Sequence, residues 1–95
     1  MAALRCVGLR VTGRVQGVGY RAWMVDTATR LGLRGWVRNR RDGSVEALAI
    51  GDDGAVTALI EACRQGPRLA QVADIAVSDS QDDGSSGFTP QPTAY

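Results

Sequence analysis

Histidine and lysine are both missing from this 95-residue sequence. Without histidine the chain has no His-based general acid or base, no Ser–His or Cys–His nucleophile pair, and few of the ligands that zinc sites use. Without lysine it can form neither a Walker-type phosphate loop nor a Schiff base. We therefore expect any catalysis to depend on arginine, amide groups, the backbone and water.

The cysteines and the hydrophobic runs exclude further classes of protein. Cys6 and Cys63 lie far apart and match no metal-binding spacing, so we interpret both as small buried hydrophobic residues. No run approaches 18 apolar residues, and Arg5 and Arg10 interrupt the N-terminal segment where a signal peptide would be hydrophobic. These features predict a cytoplasmic protein with no contact with the membrane.

Positive charge is concentrated in one part of a nearly neutral chain. The formal net charge is +1, which gives no reason to expect general binding to nucleic acid. Six of the eleven arginines nevertheless fall within residues 21–41. A local positive field of this kind suits a small anion, and an ordinary solvated face is the alternative interpretation.

The hydrophobic pattern predicts a single domain, residues 1–95, with the element order β-α-β-β-α-β. The strands are expected at residues 4–13, 35–41, 44–50 and 71–77, and the helices contain residues 22–31 and 56–63. This order favours a ferredoxin-like α+β sandwich, with an antiparallel sheet and both helices on one face.

Two connecting segments have their own signals. Asp42-Gly43 predicts a two-residue type I′ hairpin, with positive φ at both central residues. Residues 78–87 are predicted to be a polar loop, and residues 88–95 an edge strand or a tail, because two prolines exclude a central strand.

The segment GRVQGVGYR, residues 13–21, joins the first strand to the first helix. A glycine-rich turn at this place can direct several backbone N–H groups into one concavity, to which the positive end of the helix dipole adds. Arg21 follows at the start of the helix, where its guanidinium can bind the same anion. The segment therefore predicts an oxyanion site, although a tight turn that needs glycine only for steric reasons would look similar.

Asn39 lies within the second predicted strand, where asparagine is disfavoured. An exposed edge position or a hydrogen bond near the turn would explain it. The functional interpretation is that its amide meets a group that needs both a donor and an acceptor, such as a water molecule.

The paired motifs G-R-V-Q-G-V-x-[YF]-R and L-G-L-x-G-W-V-R-N-x-x-D-G-S-V-E resemble those of the acylphosphatase family. The resemblance runs from about Leu9 to Ala70 and includes Gly66-Pro67. It implies the ferredoxin-like fold and the hydrolysis of acyl phosphates to a carboxylate and inorganic phosphate, with no metal and no other cofactor.

The resemblance also implies roles for individual residues. Arg21 would bind the phosphoryl oxygens, and Asn39 would orient the attacking water. The phosphate would be held by the loop before the helix, whose residues are Arg14, Val15, Gln16, Gly17, Val18, Gly19 and Tyr20. Glu46 is expected to be a cross-strand partner of Arg38 or Arg40 and not an acid or base.

The expected partners are a small acyl phosphate and inorganic phosphate, and the expected state is a monomer. A non-catalytic domain that binds acyl or carbamoyl phosphate is the alternative function. An RNA-binding module of the same architecture is a further alternative, but the central strands lack the stacked aromatic residues that such modules use.

Overall fold

The computed structural model describes residues 4–94, which form five strands and two helices. In chain order these are β1 (Leu4–Arg14), α1 (Tyr20–Arg30), β2 (Arg34–Arg40), β3 (Val45–Asp52), α2 (Asp53–Cys63), β4 (Gln71–Asp79) and β5 (Phe88–Ala94). The predicted ferredoxin-like arrangement is confirmed.

The strands form one sheet in the order β4-β1-β3-β2-β5. The four strands of the predicted sheet pair antiparallel, whereas β5 pairs parallel to β2. The sheet is therefore mixed and not antiparallel throughout. Because β4 and β5 lie at opposite edges, the chain between them crosses the whole width of the sheet, and the two prolines of β5 lie on an edge strand, where a missing N–H is tolerated.

The hydrophobic core lies between the helices and one face of the sheet. The alternation of β1 places Val7, Leu9 and Val11 on this face, each at most 2% exposed. Leu9 lies opposite Ala47 of β3, which in turn lies opposite Val37 of β2. Burial of this apolar face is the main source of stability for the layers, as it is in most small domains. The thiols of Cys6 and Cys63 are both free, and Cys63 is buried in this core as predicted. The prediction is wrong for Cys6, which is only partly buried.

The opposite face of the sheet is polar and is crossed by the segment of residues 80–87. Arg34 forms an ion pair with Asp82, and the indole N–H of Trp36 donates to the Asp83 carboxylate at 3.1 Å. These contacts fix the crossing segment to β2 and explain how β5 reaches the far edge.

Glu46 is bonded to both of its predicted partners on this polar face. Its Oε1 accepts hydrogen bonds from Arg38 Nε at 2.7 Å and from Arg40 Nη1 at 3.1 Å. Burial alone would raise the pKa of the Glu46 carboxyl, but the hydrogen bonds from the two arginines outweigh it and hold the pKa below its ordinary value. Glu46 is thus a charged partner in a structural network.

The predicted type I′ turn is wrong. Gly43 has a φ of +95°, but no residue other than glycine has positive φ within residues 4–94. The Gly43 N–H donates to the Arg40 carbonyl and the Arg40 N–H donates to the Ser44 carbonyl, so the loop has three residues. The reason lies in a side chain, since the Asp42 carboxylate accepts hydrogen bonds from both Ser44 N–H and Oγ and stabilises this alternative turn.

Gly35 is the glycine of the sheet that can least be replaced. Its φ is +134°, and a Cβ there would lie 1.9 Å from the Leu48 carbonyl oxygen. We expect Gly35→Ala to lower the free energy of unfolding by about 3 kcal/mol or more, because strain and a backbone clash add. Urea unfolding of the purified variant measures this change.

The matched control is Gly54→Ala in the first turn of α2, where a Cβ would meet only the Asp52 side chain at 3.3 Å. It should change stability by no more than about 1 kcal/mol, and in the favourable direction, because alanine is the better helix former. Equal stabilities of the Gly35→Ala variant and the wild type would contradict the close approach of β2 and β3.

Candidate active site

A cleft of about 220 Å³ lies between the β1–α1 loop and the C-terminal end of β2. Its lining residues are Val15, Gln16, Gly17, Gly19, Tyr20, Arg21, Ala22 and Asn39. The two motifs singled out in the sequence, residues 13–21 and 31–46, therefore meet at one place. Of the predicted loop residues, Arg14 and Val18 are not among those that line the cleft.

The three glycines of the loop segment serve two different purposes. Gly17 and Gly19 have φ values of +72° and +78°, and a Cβ at either would meet nothing within 4 Å. Glycine is therefore favoured there by backbone conformation and not by lack of space. Gly13 (φ +116°) also lies against β4, since its Cβ would be 2.3 Å from the Gln71 carbonyl oxygen.

Helix α1 begins in this cleft without a protein cap. Gly19 is the N-cap residue, no side chain of residues 4–94 caps the helix, and its first turn contains no acidic residue. The N–H groups of a first helical turn have no acceptor within their own helix, and the helix dipole makes this end positive. An anion in the cleft would supply the missing acceptors and the missing negative charge.

Arg21 is half-buried in the wall of the cleft, at the second residue of α1. Its Nη1 donates to the Gln91 carbonyl of β5 at 3.2 Å. Within residues 4–94 no carboxylate forms an ion pair with it. A guanidinium carries five N–H donors, so a side chain fixed by one of them retains others for an anion.

Asn39 lies on the helix-facing side of β2, two residues after the buried Val37. It is half-buried, and its side-chain amide makes no hydrogen bond with another residue of the described chain. The amide therefore keeps both its donor and its acceptor available at the cleft. Asn39 occupies the point where the apolar row of the strand ends.

The side chains of Val15 and Tyr20 hold the loop from behind. Val15 is 1% exposed, and the Tyr20 hydroxyl donates to the Cys63 carbonyl of α2 at 2.6 Å. Gly66 leaves room for the tyrosine ring, because a Cβ there would lie 2.5 Å from it. Burial raises the pKa of Tyr20, and the hydroxyl is committed to its bond with α2. These two residues can offer a ligand their backbone, but their side chains belong to the core.

Two contacts at the site had no signal in the sequence. The Gln91 carbonyl that holds Arg21 comes from a strand 70 residues later. The side-chain amide of Gln16 donates to the carbonyls of Arg40 and Ser44, at 2.8 Å each. Backbone carbonyls carry no sequence signature, and a glutamine in a loop is not distinctive.

The described part of the chain contains neither a group of metal-binding side chains nor a helix that could span a membrane. Across residues 4–94, no three His, Cys, Asp or Glu side chains are grouped so that they could hold a metal ion. No helix in the same range is long and apolar enough to cross a membrane.

Known proteins resemble this chain in sequence and in fold. The sequence model of the acylphosphatase family matches residues 7–90. An acylphosphatase of Acidiphilium cryptum (strain JF-5) is 53% identical over 85 residues, which cover 90% of this chain and 93% of the relative.

Solved structures agree with the sequence match. The acylphosphatase of Bacillus subtilis has a TM-score of 0.88 at 39% identity and covers 94% of this chain and 99% of its own. That of Coxiella burnetii has a TM-score of 0.89 at 32% identity and covers 93% of each chain.

The cleft combines a helix start without a cap, an arginine and an amide, which are the groups that the two motifs predicted. The match to the family extends over most of the chain. This chain belongs to the acylphosphatase family of hydrolases.

Proposed function

We propose that this acylphosphatase hydrolyses the carboxyl–phosphate bond of small acyl phosphates with Arg21, Asn39 and the loop of residues 14–20, and without a metal ion. The observation that carries the proposal is the cleft that Asn39 and Arg21 share with the start of α1. We also propose that the protein acts as a cytoplasmic monomer that does not bind nucleic acid.

The phosphate is bound by backbone and by one side chain. The loop and the first turn of α1 offer N–H donors from Gln16 to Arg21, and the guanidinium of Arg21 neutralises the charge on the phosphoryl oxygens. Donors fixed in this way need no reorganisation as the phosphoryl group transfers, which is why electrostatic preorganisation is so effective for this reaction.

Asn39 orients the water that attacks phosphorus, opposite the departing carboxylate. The oxygen of water forms the new bond to phosphorus, the bond between phosphorus and the acyl oxygen breaks, and its electron pair leaves with the carboxylate. One proton of the water passes to another oxygen of the phosphate, and the other stays on the oxygen that is newly bonded to phosphorus. Positioning of this kind lowers the barrier because it replaces a random encounter with a fixed geometry.

The reaction needs no side-chain acid or base. The leaving carboxylate is weakly basic and departs without a proton. Of the residues that line the cleft, only Tyr20 and Arg21 are ionisable, and the hydroxyl of Tyr20 is bonded to α2. This agrees with a chain from which histidine is absent.

The first experiment measures the hydrolysis of benzoyl phosphate by the purified protein in the presence of EDTA. Turnover by the wild type supports the metal-free mechanism, and loss of turnover on chelation would show that a metal is needed. Absence of turnover, with inorganic phosphate still bound, would favour the non-catalytic acyl- or carbamoyl-phosphate-binding alternative.

Asn39→Ala should lower kcat by about 10²-fold or more, because the attacking water loses its orientation. The inhibition constant of inorganic phosphate should stay within about twofold of that of the wild type, since the phosphate donors lie on the loop and α1. Steady-state kinetics with phosphate as inhibitor measures both quantities. A kcat like that of the wild type would refute the role of Asn39.

Arg21→Gln should lower kcat by about 10³-fold or more, by analogy with other arginines that stabilise a transferring phosphoryl group. Unlike Asn39→Ala, it should also weaken binding of inorganic phosphate. Arg30→Gln is the matched control, since Arg30 lies at the other end of the same helix and is 77% exposed. An unchanged KM and phosphate affinity in Arg21→Gln would contradict the assignment.

The pH dependence of kcat should be flat between about pH 7 and 9, because a phosphate group has lost its second proton by then and no histidine or carboxylate of residues 4–94 lines the cleft. The raised pKa of Tyr20 keeps its hydroxyl neutral above its ordinary titration range, so this residue introduces no alkaline step. Initial rates in buffers of constant ionic strength test this. A bell-shaped profile centred near neutrality would indicate a side-chain acid or base.

A further inference from the structure

The proposed mechanism requires a fixed distance between the groups that bind the phosphate and the side chain that orients the water, which lie on different elements of the fold. The phosphate donors and Arg21 belong to the β1–α1 loop and α1, whereas Asn39 belongs to β2. These elements are not neighbours in the sheet, because β3 lies between β1 and β2. A small shift of the loop would move the phosphorus away from the water that Asn39 orients.

The backbone of the loop does little to prevent such a shift. In the described chain, residues 15–18 take part in no backbone–backbone hydrogen bond outside the regular helices and strands. Val15 belongs to the core and Val18 packs against it, and such apolar contacts have no preferred direction.

The side chain of Gln16 supplies directional contacts between the loop and the β2–β3 hairpin, whereas the hydrogen bond of Tyr20 runs to α2. Its Nε2 donates to the carbonyl oxygens of Arg40 and Ser44, at 2.8 Å each. Both partners can only accept, so the amide end of the side chain is identified by its contacts, and both of its N–H groups are used.

The two carbonyls are themselves fixed in the β2–β3 hairpin. The Arg40 carbonyl also accepts from the Gly43 N–H, and the Ser44 carbonyl accepts from the Arg40 N–H. Arg40 directly follows Asn39 in β2. Gln16 is therefore bonded to the part of the hairpin that carries the water-orienting residue.

We propose that the side chain of Gln16 is a positioning residue that sets the distance between the bound phosphate and the water held by Asn39. This inference rests on the proposed function. It is distinct from the role of the Gln16 backbone in the phosphate loop, since the side chain points to the hairpin and its N–H groups are occupied there.

Gln16→Met tests the proposal, because methionine keeps the length of the side chain but cannot donate to the carbonyls. We expect kcat to fall by about 10- to 100-fold, the order of loss that a misplacement near 1 Å causes. The inhibition constant of inorganic phosphate should stay within about twofold of the wild-type value, since the N–H donors of the β1–α1 loop and Arg21 move together.

The matched control is Gln65→Met, because Gln65 is exposed just after α2 and away from the cleft. It should leave kcat unchanged. Circular dichroism and thermal unfolding of both variants establish that the assays compare folded proteins.

Gln16→Glu gives a readout that a merely structural role would not produce. An ionised carboxylate cannot donate to the two carbonyls, whereas a protonated one can donate to one of them. The kcat of this variant relative to the wild type should therefore recover as the pH falls through the titration of the new carboxyl. Gln65→Glu should show no such recovery.

The outcomes separate this proposal from the proposed function. If the wild type turns over and the kcat of Gln16→Met is unchanged, or if only its phosphate affinity changes, the positioning role is wrong and the mechanism survives. If the wild type does not turn over, the mechanism fails and this proposal fails with it. A loss of kcat in Gln16→Met that Gln16→Glu does not regain at low pH would also overturn it.

Discussion

The start of α1 is the constraint on which the rest of the structure depends. A helix begins with N–H groups that its own carbonyls cannot satisfy, and here no side chain caps them. A helix without an N-terminal cap is less stable. The residues around the first turn of α1 must therefore hold it in place and leave its N–H groups accessible. Gly17 and Gly19 provide the backbone conformation, and the side chains of Val15 and Tyr20 anchor both ends of the loop in the core.

Most of the fold that could be predicted from the sequence follows from the two-residue period of the strands. The strand predicted over residues 4–13 agrees with β1, whose apolar residues recur at every second position as in other half-buried strands. The same period directs Asn39, which continues the row of Gly35 and Val37 beyond the edge of the core. The sequence singles out this asparagine for a different reason, namely that asparagine is disfavoured within a strand.

What could not be predicted depends on hydrogen bonds between side chains and backbone, or on distant pairing. The type I′ prediction for the β2–β3 hairpin is wrong because the Asp42 carboxylate accepts hydrogen bonds from Ser44, which stabilise a different turn. The parallel pairing of β5 follows from a segment that crosses the polar face, held by contacts to Arg34 and Trp36. No local pattern reports such contacts, since each partner alone is an ordinary polar residue.

The bond between Arg21 and the carbonyl of Gln91 joins positions 70 residues apart. At the usual speed of translation, roughly 4 to 14 s separate the synthesis of the two residues. During that interval a nascent chain already contains the β1–α1 loop but not the strand whose carbonyl accepts a hydrogen bond from the guanidinium. The guanidinium of Arg21 thus acquires this support only when β5 joins the sheet, so a chain emerging from the ribosome completes the wall of the cleft late.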